Sequence, residues 1–213
     1  MIKRAFIFLV TLSVISIISH SCIFSRRFET TYEWVGFTAR PMCTSSSWGH
    51  FVEPGATIAK DDFAIYITME SNRLGRRQIA QHGNFNVIPQ AMALTLPEER
   101  CIRTNTITSI IVKTMYDYSD VFPAGADITS LFKAAHHCVS PIWHNPIMTI
   151  EALISDFKDE QTRIHPNGWC GIKNFFLFLM DDTGIGGKQR FEISITLDDG
   201  LVLVREVGGF ILE

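Results

Sequence analysis

Between Phe63 and Glu70 every second residue is strongly apolar. Phe63, Ile65, Ile67 and Met69 fall on one side, and Ala64, Tyr66, Thr68 and Glu70 on the other. Successive side chains of a strand point to opposite faces, so this period of two fits a half-buried strand and not a helix. The period returns in Arg190–Leu197 and Leu201–Val204, on either side of Asp198-Asp199-Gly200. Alternating runs joined by Asp-Gly are a strong short-range signal for a hairpin. Ile107–Tyr116 alternates as well, and Tyr32–Thr38 is aromatic and β-branched. Phe175–Met180 is apolar at every position, as a strand covered on both faces would be.

The connections are read from breakers and caps. Pro41, Cys43 and Ser45-Ser46-Ser47 are expected to end the first strand, and the polar stretch Ser71–Asn86, with Gly75 and Gly83, is expected to be loop. Val87–Leu96, with Pro89 and Pro97 near its ends, offers an edge strand at most. Asp127 can cap a short helix over Ile128–Ala135, and Thr149 a second over Ile150–Phe157, each with an apolar stripe. Short strands, turns and minor helices predict a mainly β fold. The form expected is an antiparallel immunoglobulin-like β-sandwich with one or two short helices in its connections.

The N-terminus sets the compartment. Lys3 and Arg4 precede an apolar run of 14 residues, Ala5–Ile18, followed by Ser19-His20-Ser21 and Cys22. A basic start, a short apolar stretch and small residues make an export signal, too short to span a bilayer as a helix. The cysteine at its end reads as a site of lipid attachment, giving a signal peptide over 1–21, a tether over 22–31 and one domain over 32–213. Five cysteines leave one odd; acylating Cys22 leaves Cys43, Cys101, Cys138 and Cys170 as disulfide candidates in an oxidising compartment. Three pairings are open, with Cys43–Cys101 and Cys138–Cys170 favoured. Removing Lys3 and Arg4 turns 19 basic residues into 17, against 22 acidic ones. That balance argues against nucleic acid as a partner. The dense basic spots are Arg26-Arg27, placed to meet lipid headgroups, and Arg73…Arg76-Arg77, read as a solvated loop.

Three stretches resemble a family of uncharacterised lipoproteins from Bacteroidetes. They are Ile107-Thr108-Ser109-Ile110 to Asp117-Tyr118, Phe122-Pro123-Ala124-Gly125-Ala126-Asp127 to Leu131-Phe132, and the Phe191–Gly200 hairpin. The resemblance implies a one-domain, β-rich, envelope-anchored protein and carries no catalytic residues. Surface-displayed lipoproteins of such bacteria often place acidic residues just after the cysteine. Ile23-Phe24-Ser25-Arg26-Arg27 follows here, which points to the periplasmic face.

Candidate chemistry is sparse. His136 and His137, beside Cys138 and with His144 and His165 downstream, are weak metal candidates; adjacent histidines at an element end point in different directions. No CxxC pair, nucleophile elbow, phosphate loop or dinucleotide fingerprint occurs, and no cofactor is expected. Asp117, Asp120, Asp127, Asp181-Asp182 and Asp198-Asp199 sit in turns, where aspartate bonds the local backbone more often than calcium. Trp48, Trp143 and Trp169 lie beside Gly or Pro as candidates for stacking on sugars. The function expected is a non-enzymatic binding or structural module held to the membrane by an N-terminal lipid. A glycan-binding or glycan-active accessory protein, or an adhesin or pilus-like subunit using strand addition, are the alternatives.

Overall fold

The structure, a computed structural model, describes residues 27–46, 49–79, 99–136, 146–160, 173–180, 184 and 186–213. Its described elements are β1 (Arg27–Cys43), β2 (His50–Phe51), β3 (Thr57–Ile58), β4 (Phe63–Ile79), β5 (Glu99–Arg103), β6 (Ile107–Thr114), β7 (Phe132–His136), α1 (Ile150–Glu160), β8 (Asn174–Leu179), β9 (Gly187–Leu197) and β10 (Val202–Leu212). They form a mainly β sandwich of two sheets. One sheet runs β2-β1-β4-β8-β7, with β5 also on β1; the other runs β3-β10-β9-β6. Most pairs are antiparallel, while β1–β5 and β3–β10 are parallel. An immunoglobulin constant domain divides its strands four and three; here the sheets hold six and four.

The core lies between the sheets. Phe37, Phe63, Ile65, Ile67 and Met69 from the first sheet meet Ile110, Val112, Phe191, Ile193, Ile195 and Leu197 from the second. Phe63 sits at the centre of an aromatic group, its ring 4.7 Å from that of Phe210 and 5.8 Å from that of Phe191. Helix α1 covers the flank with Ile150, Leu153 and Phe157, all buried, and Phe157 meets Phe175 edge-on at 5.6 Å. Each fully buried side chain of this size contributes about 1.5–3 kcal/mol. β8 is buried along Phe175–Leu179, as its unbroken apolar run requires: Phe175, Leu177 and Leu179 enter the main core, while Phe176 and Phe178 join Met42, Ala64 and Ala135 on the opposite face.

The hairpin β9–β10 closes as expected, with Val202 opposite Thr196 and Gly200 at φ +86°, a backbone state that side chains disfavour. In β6 a register shift between Ile107 and Ser109 brings Ile107 onto the same buried face as Ile110 and Val112. The helix expected over Ile150–Phe157 is α1, three residues longer.

The first strand ends at Cys43, among the stop signals expected, and passes through Pro41, whose carbonyl accepts from Val52 N–H at 3.1 Å. Three expectations need correction. The supposed tether residues Arg27–Thr31 are strand, paired with β4 on one side and β5 on the other. Ser71–Ile79 is the second half of β4 and not loop; Arg73, Arg76 and Arg77 lie opposite Tyr32, Thr30 and Glu29. The helix over Ile128–Ala135 is a single 3-10 turn, Thr129–Leu131, followed by strand β7. The expected edge strand Val87–Leu96 lies outside the described residues.

Candidate functional site

A cavity of about 610 Å³ opens where the turn before β7 meets the start of α1. Asp127, Thr129, Ser130, Phe132, Lys133, Thr149, Ile150 and Glu151 line it. Two local devices build its walls. Asp127 Oδ1 accepts from the Thr129 N–H at 2.9 Å and from the Thr129 hydroxyl at 2.5 Å, while Thr129 Oγ1 accepts from the Val112 N–H at 2.9 Å. The turn is thereby pinned to β6. On the other wall Thr149 caps α1, its Oγ1 accepting from Ala152 N–H at 3.2 Å. Met148 and Ala134 exchange two backbone hydrogen bonds of 2.8 Å, which seats the helix start beside β7.

The lining carries both signs of charge, two carboxylates against one ammonium. The Glu151 carboxyl is held below the usual range by its own backbone N–H and then by the Thr149 hydroxyl; desolvation opposes this, and the positive charge of Lys133 adds a smaller pull in the same direction. An acid at the first turn of a helix is also favoured by the helix dipole. Phe132 is 2% exposed and belongs to the core, so the lining presents hydroxyls, two carboxylates and an ammonium and lacks an aromatic plate. Such a surface hydrogen-bonds hydroxyl-rich ligands through both donors and acceptors.

A second polar feature lies further along the same elements. His136, at the end of β7 and 7% exposed, places Nε2 at 2.8 Å from Asp156 Oδ2 on α1. Its ring meets Phe157 edge-on, and Nδ1 is buried without a hydrogen-bond partner among the described residues. The pair ties the helix to the strand.

Among the described residues, those singled out from sequence do not converge. His136 is near no other metal-ligating pair: among the described residues no group of three His, Cys, Asp or Glu side chains is placed to hold a metal ion. Cys43 is a free thiol, 3.1 Å from Ser45 Oγ, and Cys101 is disulfide-bonded. The Cys43–Cys101 pairing is therefore corrected. Cys101 sits opposite Thr30 on β1, and Cys43 lies 13 positions further along that strand, roughly 40 Å at about 3.3 Å per residue, whereas a bridge needs Cα atoms under about 7 Å apart. Cys22, Cys138, Cys170, His137, Trp48, Trp143 and Trp169 lie outside the described residues. The turn aspartates bond backbone: Asp117 accepts from Ala124 N–H at 2.8 Å and Asp199 from Leu201 N–H at 2.9 Å.

Sequence reasoning missed Lys133, Glu151 and Asp156. A signal existed for Glu151, two residues after the Thr149 cap; none existed for Lys133, which was assigned to a helix. No protein-family model matches the chain, and no curated protein matches it.

Proposed function

We propose that this chain is an envelope lipoprotein, acylated at Cys22, whose sandwich is a non-enzymatic binding module for a hydroxyl-rich ligand of the glycan class. The observation that carries the ligand half is the lining of the cavity: three hydroxyls, Asp127, Glu151 and Lys133 around one concave site. The anchor half rests on the layout of residues 1–22 and on the resemblance to Bacteroidetes lipoproteins. The start of β1 at Arg27, five residues after Cys22, supports it by leaving little slack between lipid and domain.

Two measurements test the two halves separately. Cells fed an alkyne palmitate should label the wild-type protein and not Cys22→Ala; an unlabelled wild type ends the anchor reading. On a glycan array the mature chain should bind a subset of sugars, with binding reduced at least tenfold in Lys133→Ala and Glu151→Gln. Loss on replacing Trp48, Trp143 or Trp169, with both cavity variants unaffected, would move the site to those aromatics. A blank array would remove the sugar ligand.

A further inference from the structure

The two basic spots of the sequence, 46 positions apart, meet in the fold. β1 and β4 are each 17 residues long, yet β8 pairs with β4 only over Ala64–Thr68. Beyond it, the first half of β1 and the second half of β4 continue as a ribbon, joined by β5. Arg73, Arg76 and Arg77 on β4 are exposed, Arg100 on β5 is half-buried, and Arg103 is buried against the Trp34 ring. Asn72 to Arg77 are exposed without interruption. Arg76 stacks on the Phe28 ring at 3.9 Å, and Arg77 lies 3.6 Å from Glu29 with 77% of its side chain exposed. Opposite Thr31 and Tyr32, β4 carries one extra residue, Leu74, half exposed between Arg73 and Gly75.

We infer that this arginine-rich ribbon end is a docking surface for anionic phospholipid headgroups, orienting the tethered domain on its own membrane. The inference rests on the anchored reading above and deepens it. Arg27 lies five positions after Cys22, and an extended chain covers at most roughly 3.6 Å per residue, so the strand start lies within about 18 Å of an acylated cysteine. Exposed arginines held at that distance face the phosphates directly, and their positive charge is drawn to an anionic membrane surface. Leu74 adds an apolar tip at the same edge, of the kind that enters the headgroup boundary.

The test uses the mature chain, residues 22–213, carrying Cys22→Ser; it contains every described element, and without acylation its vesicle binding reports the ribbon alone. It should sediment with vesicles containing one third phosphatidylglycerol and not with pure phosphatidylcholine, and added salt should release it. Arg73→Gln, Arg76→Gln and Arg77→Gln should each weaken binding about fivefold, and the triple variant on the order of 100-fold. The matching triple lysine variant should stay within about threefold of wild type, because the attraction is mainly one of charge. Equal binding to both vesicles, or a triple glutamine variant that binds like wild type, overturns the inference. Because the assay omits the acyl anchor, it can fail while palmitate labelling succeeds, or the reverse.

Discussion

Asn105 takes the place of a neighbouring strand for Trp34. Its Oδ1 accepts the Trp34 N–H at 2.8 Å, and its Nδ2 donates to the Trp34 carbonyl at 3.2 Å. β1 needs this because β5 ends at Arg103, opposite Tyr32, and leaves Trp34 without a ladder partner on that side. The same Nδ2 donates to Asp199 Oδ2 at 3.1 Å, and next to it Thr106 N–H donates to Asp198 Oδ1 at 3.0 Å. One buried amide thus joins a strand of the first sheet to the hairpin turn of the second.

Asn105→Ala is expected to destabilise the fold by about 2–4 kcal/mol, since two buried backbone groups of Trp34 lose their partner at about 1–3 kcal/mol each. Urea unfolding monitored by tryptophan fluorescence checks this. A loss below about 0.5 kcal/mol would mean that the clamp is ornamental.

Stability should fall on acidification, and the Asp199 turn should show why. The Leu201 N–H and then the Asn105 amide hold the Asp199 carboxyl below its usual range. A carboxyl lowered in the folded state favours folding above its ordinary range, and that contribution disappears as the pH drops through the folded value. The thermal midpoint of Asp199→Asn should therefore lie below wild type at neutral pH and converge on it in strong acid. A gap that widens toward acid contradicts the assignment.

The pair between His136 and Asp156 makes a double-mutant prediction. Asp156→Ala leaves a buried imidazole with neither nitrogen bonded and should cost about 1–3 kcal/mol. His136→Phe combined with Asp156→Ala should recover part of that loss, because an apolar ring beside Phe157 has no bond to miss. Additive effects of the two substitutions would show that the contact is not energetically coupled.

Cys43 and Cys101 should separate in a non-reducing peptide map. Alkylation of the denatured, unreduced protein is expected to modify Cys43 and leave Cys101 unmodified until a reductant is added. Cys43→Ser should lower the melting temperature by no more than about 5 °C, since the side chain is only partly buried against the core and its contact with Ser45 is exposed. A Cys43–Cys101 linked peptide would contradict the strand register.

The legible parts of the chain were those with one wet face or none. Phe63–Glu70 and β9 show period two because one side meets the core, and Phe175–Leu179 shows none because both sides are covered. The half of β4 from Ser71 onward read as loop because a ribbon lying outside the sandwich leaves Asn72 to Arg77 exposed, with no apolar alternation. β7 misled for the opposite reason. Ile128, Leu131, Phe132 and Ala135 match a helical stripe, but Asp127 holds only one turn before β8 claims the backbone from Phe132 onward. The cavity shares that ambiguity: its lysine comes from the misread strand, and its two acids come from turns and caps that look ordinary in isolation.

The length of β1 has a consequence for what can approach the cavity. Lys133 pairs with Phe178, Phe178 with Ala64, and Ala64 with Met42, so the cavity stands level with the far end of β1. Met42 is 15 positions from Arg27, roughly 50 Å along the strand. With the ribbon end docked as inferred above and β1 upright on it, the opening would stand above the headgroups by more than the thickness of a bilayer's hydrocarbon core. A polymer too stiff to lie against the membrane could then thread past it there.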